Sequence, residues 1–377
     1  MKIFTRIFKV FLFFVGCLQA LSAMALVQIE EDPAVFEALT KNSNVAWEKV
    51  AHDPSLRKDI LTNLNTSDIL GLYPMRSFLI KTGKEACFRN EVWMVLFNGG
   101  LKAVFNPKDA EDQDSALGEQ VAYACAEFIA TTTGYCLVPP TTTREIRGVT
   151  GSLQFFIETP YDLWKDADRT RFFQNLSPDL QNLASYFLVI FGQWDQHPGN
   201  YMGIPSPHSL GDLVAIIDNE GIINLQRLMK DGRSYVRVAF EKDETLEDSG
   251  PLFLSGSISL KTLRSILGDK VPEARLKNIH QSFFGEGDTQ QDSSRPLSYM
   301  LKDGFPWIQY HAHNEKAFPL PKKPSQKTQE AYEPLNLAIL RALYKPLIDF
   351  NPERFSDSFL KSILERREIL QGRFFKK

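Results

Sequence analysis

Two stretches of the sequence carry residues whose types and spacing could support chemistry. Asp195 and Asn200 lie in the polar stretch DQHPGN after a long apolar segment, and Asp218 follows a second apolar run, Leu213 to Ile217. The first carboxylate could orient or deprotonate a hydroxyl, while an amide oxygen and a later carboxylate could hold Mg²⁺ on a triphosphate. Alone, Asp195 and Asn200 are ordinary turn formers around Pro198 and Gly199, and an Asp after a strand, such as Asp218, is common. In this order, they predict a phosphoryl-transfer site.

The sequence before this site predicts a small sheet with one long helix. Its clearest signal is Asn98-Gly99-Gly100 between two apolar runs, a pattern typical of a β-hairpin closed by a glycine turn. The expected elements are a helical N-terminal extension over 26–75, strands over 92–97, 101–105 and 151–157, and a helix over 116–132.

The remaining sequence is mainly helical. Pro178 after Ser177 is typical of a helix start, and apolar residues follow at helical spacing. The stretch 213–225 is interpreted as two short strands around Asp218. Further helices are expected over 258–267, 272–284, 327–348 and 356–371. This order favours an α+β fold of two lobes, a small mixed β/α lobe and a larger, mainly helical lobe.

Six stretches occur in the order found in a superfamily of atypical kinases, which the chain resembles. The superfamily includes the phosphatidylinositol 3-/4-kinases, actin-fragmin kinase, the secretory-pathway kinases and HipA-type kinases. The stretches are Gly100–Phe105, Glu119–Tyr123 with Val138–Thr141, Gly151–Gln154, Asp195–Asn200 and Ile217–Asn219. The resemblance implies a protein-kinase-like fold, with a small lobe over 76–160 and a large lobe over 161–377. It also implies ATP and Mg²⁺ as cofactors.

The resemblance implies a role for each matching residue. Asp195 would be the catalytic residue at the acceptor hydroxyl, and Asn200 and Asp218 would hold the metal. Glu119 would pair with a phosphate-binding lysine. Residues 154–158, which include Gln154 and Glu158, would form the interlobe hinge and bind the adenine through backbone groups.

The sequence departs from the superfamily at the phosphate-binding lysine. The usual VFKP stands here as VFNP, so Asn106 occupies the position of the lysine. Asn cannot replace that charge. Lys102 lies on the same face of a regular strand as Asn106 and is the first choice for a replacement, since side chains repeat every two residues. The alternatives are Lys81, Lys84 and Lys108, or weakened nucleotide binding.

The amino terminus predicts export. A basic start, an apolar core and the sequence Ala23-Met24-Ala25 are typical of a signal peptide over 1–25, and the apolar core is too short for a membrane span. The expected location is secreted or periplasmic. The formal net charge of −3 excludes a strongly basic, nucleic-acid-binding protein. Cys87, Cys125 and Cys136 show no zinc-binding spacing.

These observations predict ATP- and Mg²⁺-dependent phosphoryl transfer to a protein hydroxyl. A secreted pseudokinase that acts as a binding scaffold is the main alternative, and Asn106 favours it. Transfer to a lipid is less supported, because the sequence shows no basic cluster that could face a membrane. Transfer of AMP from the nucleotide is a further alternative.

Overall fold

A computed structural model describes most of the chain. The described residues are 29–41, 43–84, 91–108, 113–193, 198–206, 211–226, 297–299, 308–310 and 323–375. The predicted signal peptide, Cys87, Asp195 and the expected helices over 258–267 and 272–284 lie outside them.

The described residues form helices and short strands in a mixed order. The helices are α1 Pro33–Lys41, α2 Trp47–His52, α3 Pro54–Thr66, α4 Met75–Lys81, α5 Gln113–Thr133, α6 Asp166–Asn175, α7 Pro178–Phe191, α8 Gln326–Tyr332, α9 Leu337–Leu343, α10 Lys345–Phe350 and α11 Asp357–Phe375. The strands are β1 Ile69–Pro74, β2 Trp93–Phe97, β3 Lys102–Pro107, β4 Thr141–Ile146, β5 Val149–Phe155, β6 Tyr201–Ile204, β7 Leu213–Ile216, β8 Leu297–Tyr299 and β9 Ile308–Tyr310. A 3₁₀ helix covers Asn219–Gln226.

The small lobe is built on an antiparallel sheet of five strands in the order β1-β2-β3-β5-β4. Strands β2 and β3 form the predicted hairpin, and Gly99 and Gly100 have φ values of +89° and +84° in its turn. Glycine adopts this left-handed backbone without a steric cost. The small-lobe sheet and the helical segments that follow confirm the predicted fold class, α+β with two lobes.

The edge strand β1 was not predicted. Residues 69–74 were interpreted as the end of a helical extension, and this was wrong, because the segment pairs with β2 along its length. Leu72 and Tyr73 are buried on the sheet, whereas Leu70 is exposed. A short apolar run of this kind does not distinguish a strand from a helix by periodicity.

The two faces of the sheet are covered by different helices. Phe105 and Leu153 belong to the main core, into which residues of α5 also pack. Met94 and Leu96 belong to a smaller cluster on the other face, with Leu39 from α1. Alternation along β2 and β3 therefore separates a face under α5 from a face under α1 and α4.

In the large lobe, α7 leads to the β6–β7 hairpin. The Ser177 hydroxyl accepts a hydrogen bond from the Leu180 backbone N–H at 3.2 Å, and Gly192 ends the helix at φ +73°. The second strand expected after Asp218 was wrong, because the 3₁₀ helix stands there and β7 pairs with β6 instead.

The helix expected over 327–348 is divided into α8, α9 and α10. Pro334 lies between the first two and Pro346 lies at the start of the third, where each restricts helix continuation. The expected helix over 356–371 is confirmed as α11. Among the described helices, none has the length and apolar character that a membrane span requires.

Candidate active site

The two predicted metal-binding residues lie at the same end of the β6–β7 hairpin. Tyr201 stands opposite Ile216 in this hairpin, and the Ile217 N–H donates a hydrogen bond to the Asn200 carbonyl at 2.9 Å. Asp218 is the next residue. Asn200 is 1% exposed and Asp218 is half-buried. The structure therefore brings together two residues that are 18 positions apart in the sequence.

The backbone of Asp218 is held in an unusual conformation. Its φ is +53°, in the left-handed region that non-glycine residues rarely adopt. The Gln193 side-chain amide donates a hydrogen bond to the Asp218 carbonyl, and Gln193 is fully buried. Such a conformation persists where the surroundings fix it. Sequence reasoning missed Gln193, whose only signal is its place directly before the polar loop.

Glu119 on α5 reaches the same site. It is 4% exposed, and the Asn219 backbone N–H donates a hydrogen bond to its carboxyl. Burial and, to a smaller extent, the negative charge of Asp218 together raise the pKa of Glu119 to about 8. Smaller effects come from Glu220, which also raises this pKa, and from Lys108, which lowers it. The ionisation of Glu119 on α5 is therefore influenced by the residue after β3 and by the three consecutive residues 218–220.

A glycine on α5 permits this approach. A Cβ atom at Gly118 would lie 2.7 Å from the Ile223 Cγ2 in the 3₁₀ helix, which is closer than side chains tolerate. Gly118 therefore lets α5 pack directly on the segment that follows Asp218. Sequence reasoning did not identify Gly118, because a glycine within a helix carries no signal of what it faces.

Among the described residues, Lys108 is a lysine that contacts this site. Its Nζ lies 2.6 Å from Glu220 Oε2, and its side chain is 6% exposed. Lys102, chosen from strand parity as the partner of Glu119, instead pairs with Glu158 and donates to the Leu39 carbonyl at 3.1 Å. The alternation of side chains along a strand shows which face a residue is on, but not which end of the strand lies at the site. Lys102 stands at the first residue of β3, whereas Lys108 follows the last.

The other two candidate lysines make contacts elsewhere. Lys81 Nζ lies 2.7 Å from Glu31 Oε2 and donates to the Tyr73 hydroxyl at 2.6 Å. Lys84 Nζ donates to the Thr159 carbonyl at 2.7 Å, just beyond the predicted hinge.

The predicted hinge is braced by side chains. The Gln154 amide donates to Thr141 Oγ1 at 2.9 Å. The Glu158 carboxylate accepts hydrogen bonds from Lys102 and, at 3.2 Å, from the Asn44 backbone. The Asn44 side chain also donates to the Phe156 carbonyl at 2.6 Å. Lys102, Gln154 and Glu158 thus lie around the junction of β3 and β5, and their binding to a nucleotide stays a prediction.

The groups at the hairpin end fit a hard cation. Glu119 Oε2 and Asn219 Oδ1 are buried and accept no hydrogen bond. With Asn200 and Asp218 they provide carboxylate and amide oxygens, which Mg²⁺ prefers. Within the described ranges, no group of three or more His, Cys, Asp and Glu residues could hold a metal by itself. A metal held by Asp218 and Asn200 would therefore need phosphate oxygens as well.

Comparisons with known proteins give a distant likeness. No protein-family model and no curated protein matches the chain. A solved structure of the Golgi casein kinase is similar to it at 10% identity, covering 93% of this chain and 91% of that one, with a TM-score of 0.39. A second structure, the Golgi casein kinase with Mn/ADP bound, has 12% identity, covers 88% and 80%, and has a TM-score of 0.32. At these values the likeness assigns no residue roles.

Proposed function

We propose that the protein transfers the γ-phosphoryl group of ATP to a hydroxyl of a protein, in a reaction that needs Mg²⁺. One observation carries this proposal: Glu119, Asn200 and Asp218, predicted from three separate stretches, converge where α5 meets the end of the β6–β7 hairpin. Phosphoryl transfer depends on positioning and electrostatic stabilisation, so the proposal requires such convergence.

Asn200 and Asp218 would hold the metal through their side-chain oxygens. A metal held by these two residues would supply positive charge that offsets the negative charge of the phosphates. Glu119 would support this region from α5, where the Asn219 N–H fixes its carboxyl. The hydrogen bond from Gln193 to the Asp218 carbonyl would keep the carboxylate of Asp218 directed at the phosphates.

Asp195 would orient or deprotonate the acceptor hydroxyl. It follows Gln193 by two residues and precedes Asn200 by five in the sequence. Gln193 and Asn200 both contact the segment around Asp218, so both ends of the short loop that contains Asp195 are anchored at the site. This supports a place for Asp195 beside the phosphates.

Residues 154–158 would receive the adenine. The Phe156 N–H donates to the Lys102 carbonyl at 3.1 Å, so the chain leaves β5 while still paired with β3. Lys102 and Glu158 would fix this exit through their ion pair. The formal net charge of −3 favours a protein acceptor over an anionic lipid surface.

A pseudokinase scaffold is the second candidate. The residue that matches the phosphate-binding lysine is Asn106, whose Oδ1 is buried and accepts no hydrogen bond. Lys102 and Lys108 are both paired with carboxylates, Glu158 and Glu220, which a nucleotide would have to displace or join. A chain that binds partners without turnover would tolerate these features.

Labelled ATP separates the candidate functions. The mature chain is incubated with Mg²⁺ and ATP labelled at either the γ- or the α-phosphorus, and label on the protein is measured. Phosphoryl transfer predicts label from γ-ATP alone, and Asp195→Asn should slow the labelling by about 10²-fold or more. Label from α-ATP would instead establish AMP transfer. Nucleotide binding without label on the chain or on added proteins, or no binding at all, would support the scaffold.

Export of the protein is also a proposal. The predicted signal peptide over 1–25 would direct the chain to a secreted or periplasmic location. Mass spectrometry of the exported protein should find an amino terminus at Leu26.

A further inference from the structure

We infer that Lys108 is the cation that binds the α- and β-phosphates, in place of the lysine missing at position 106, and that Glu220 holds it while no nucleotide is bound. This inference rests on the proposed phosphoryl transfer. It names the residue that supplies the charge lost at Asn106, and it assigns a competing role to Glu220, which neither the sequence motifs nor the resemblance identify.

The strand geometry places Lys108 on the same side as Asn106. Asn106 stands opposite Ser152 in the β3–β5 ladder, and the Lys108 N–H donates to the Thr150 carbonyl at 2.9 Å. The ladder therefore continues through both residues. Side chains two residues apart share a face and stand about 6.6 Å apart along the strand. A lysine has a long, flexible stem, so its ammonium can serve a site near the strand end.

The contacts of Lys108 connect it with the predicted site. Its ammonium lies 2.6 Å from Glu220 Oε2, and Glu220 is two residues beyond Asp218. Between them, the Asn219 N–H donates to the Glu119 carboxyl. The partner of Lys108, Glu220, is thus the direct neighbour of Asn219, which binds Glu119 and itself follows Asp218.

The burial of Lys108 explains why Glu220 pairs with it when no nucleotide is bound. The Lys108 side chain is 6% exposed, and a buried ammonium is costly unless a negative charge accompanies it. Glu220 provides that charge and is itself partly exposed. A triphosphate carries more negative charge than one carboxylate and accepts charge-assisted hydrogen bonds. It would therefore take the ammonium from Glu220, and the Glu220 carboxylate would turn towards solvent.

Calorimetry of Mg-ATP binding tests this inference, because replacing Lys108 and replacing Glu220 should change the affinity in opposite directions. Lys108→Met should weaken binding about 10-fold or more, since it removes a charge-assisted contact. Asn106→Lys in the same chain should restore most of the loss, because it returns the cation to the usual position. Glu220→Gln should tighten binding, because Lys108 loses its competing partner. Lys345→Met is the matched control, since Lys345 is exposed and pairs with Asp349 in α10.

The outcomes distinguish this inference from the proposed function. If Lys108→Met binds Mg-ATP like the natural chain while Asp218→Ala does not, the cation assignment is wrong and the phosphoryl-transfer site stands. If Glu220→Gln weakens binding, the pair is structural and the inference is again wrong. If the natural chain is folded and binds no Mg-ATP, the proposed function itself has failed. Should Lys108→Met not fold, Glu220→Gln alone decides the question.

Discussion

The side-chain amide of Gln193 donates a hydrogen bond to the backbone carbonyl of Asp218. The Asp218 backbone has the left-handed conformation, with φ at +53°. One contact thus connects the end of α7 with the residue that follows the β6–β7 hairpin. A separate hydrogen bond, from the Ile217 N–H to the Asn200 carbonyl at 2.9 Å, connects Asn200 to the same segment. The first prediction concerns the contact of Gln193.

Gln193→Met should lower stability and weaken nucleotide binding. It keeps the side-chain volume and removes the donor, which leaves the Asp218 carbonyl without the Gln193 amide, at a cost of about 1–3 kcal/mol in the free energy of unfolding. Loss of the Asp218 conformation should weaken Mg-ATP binding roughly 10-fold. Urea unfolding and calorimetry measure both effects. The control is Gln326→Met at an exposed position of α8, and equal behaviour of the two variants would contradict the prediction.

Asp195→Asn should separate binding from turnover. The substitution keeps the shape and removes the carboxylate, so kcat should fall by about 10²–10⁴, the usual contribution of a general base. The affinity for Mg-ATP should change little, because Asp195 is assigned to the acceptor. Initial rates with γ-labelled ATP measure the change. Full turnover in this variant would remove Asp195 from the mechanism.

Glu119→Gln should reduce the dependence of stability on pH. Burial, with the Asp218 charge, raises the pKa of Glu119 from 4.5 to about 8, so the folded protein binds more protons than the unfolded chain between these values. Stability supplied by this group is therefore present at low pH and is lost as the pH rises through that window. Glutamine does not ionise, so the variant should gain stability relative to the natural chain at high pH.

Urea midpoints at pH 5 and pH 9 test this expectation, since these conditions bracket the range in which Glu119 ionises. The matched control is Glu330→Gln on the exposed surface of α8, which should change the pH dependence little. Parallel pH profiles for the natural chain and Glu119→Gln would show that the pKa of Glu119 is not raised. They would contradict its burial beside Asp218.

Arg354→Met should disturb the site from a distance. The Arg354 guanidinium pairs with Asp114 in the first turn of α5 and donates to the Ile223 carbonyl of the 3₁₀ helix at 3.0 Å. It therefore connects α5, which carries Glu119, with the 3₁₀ helix that follows Asp218. Breaking a buried pair of this kind costs about 3–5 kcal/mol, and Mg-ATP affinity should fall with it.

Two comparisons test the role of Arg354. Arg354→Lys keeps the charge and should recover part of the affinity. Arg341→Met removes an exposed pair with Asp357 in the same helical region and should leave nucleotide binding unchanged. Hydrogen exchange should rise over 113–120 and 219–226 in Arg354→Met and stay unchanged in Arg341→Met. Unchanged exchange in both variants would contradict the coupling.

Local sequence signals predicted the elements that hold the site. The glycine turn of the β2–β3 hairpin and the Ser177-Pro178 start of α7 each depend on residues next to one another in the chain. They fix local geometry before any tertiary contact forms. The apolar run before Asp218 predicted β7, whereas β6 was not predicted, so the β6–β7 pairing that brings Asn200 beside Asp218 was found only in the structure.

The missed features depend on contacts between distant parts of the chain. Asn44 contacts Phe156, and Arg354 contacts Ile223, across 112 and 131 positions. No pattern of neighbouring residues in the sequence predicts contacts over such distances along the chain. The contacts of Lys102 and Lys108 were likewise not predictable, because strand parity does not show which carboxylate, Glu158 or Glu220, lies beside each lysine. Strand β1 was missed because its partner strand decides its conformation.

Mg²⁺-dependent ATP binding by Asp218→Ala tests the central claim most directly. The carboxylate of Asp218 is assigned to the metal on the triphosphate, so its loss should weaken ATP binding in the presence of Mg²⁺ by about 10²-fold or more. Asp179→Ala, which removes an exposed carboxylate in the first turn of α7, is the matched control.

The same titrations without Mg²⁺ complete the measurement. The account predicts that the natural chain and Asp179→Ala bind ATP much more tightly with Mg²⁺ than without it, and that Asp218→Ala loses this difference. Mg-ATP affinity in Asp218→Ala equal to that of the natural chain would contradict the account, because the residue at the centre of the site would then hold neither metal nor nucleotide.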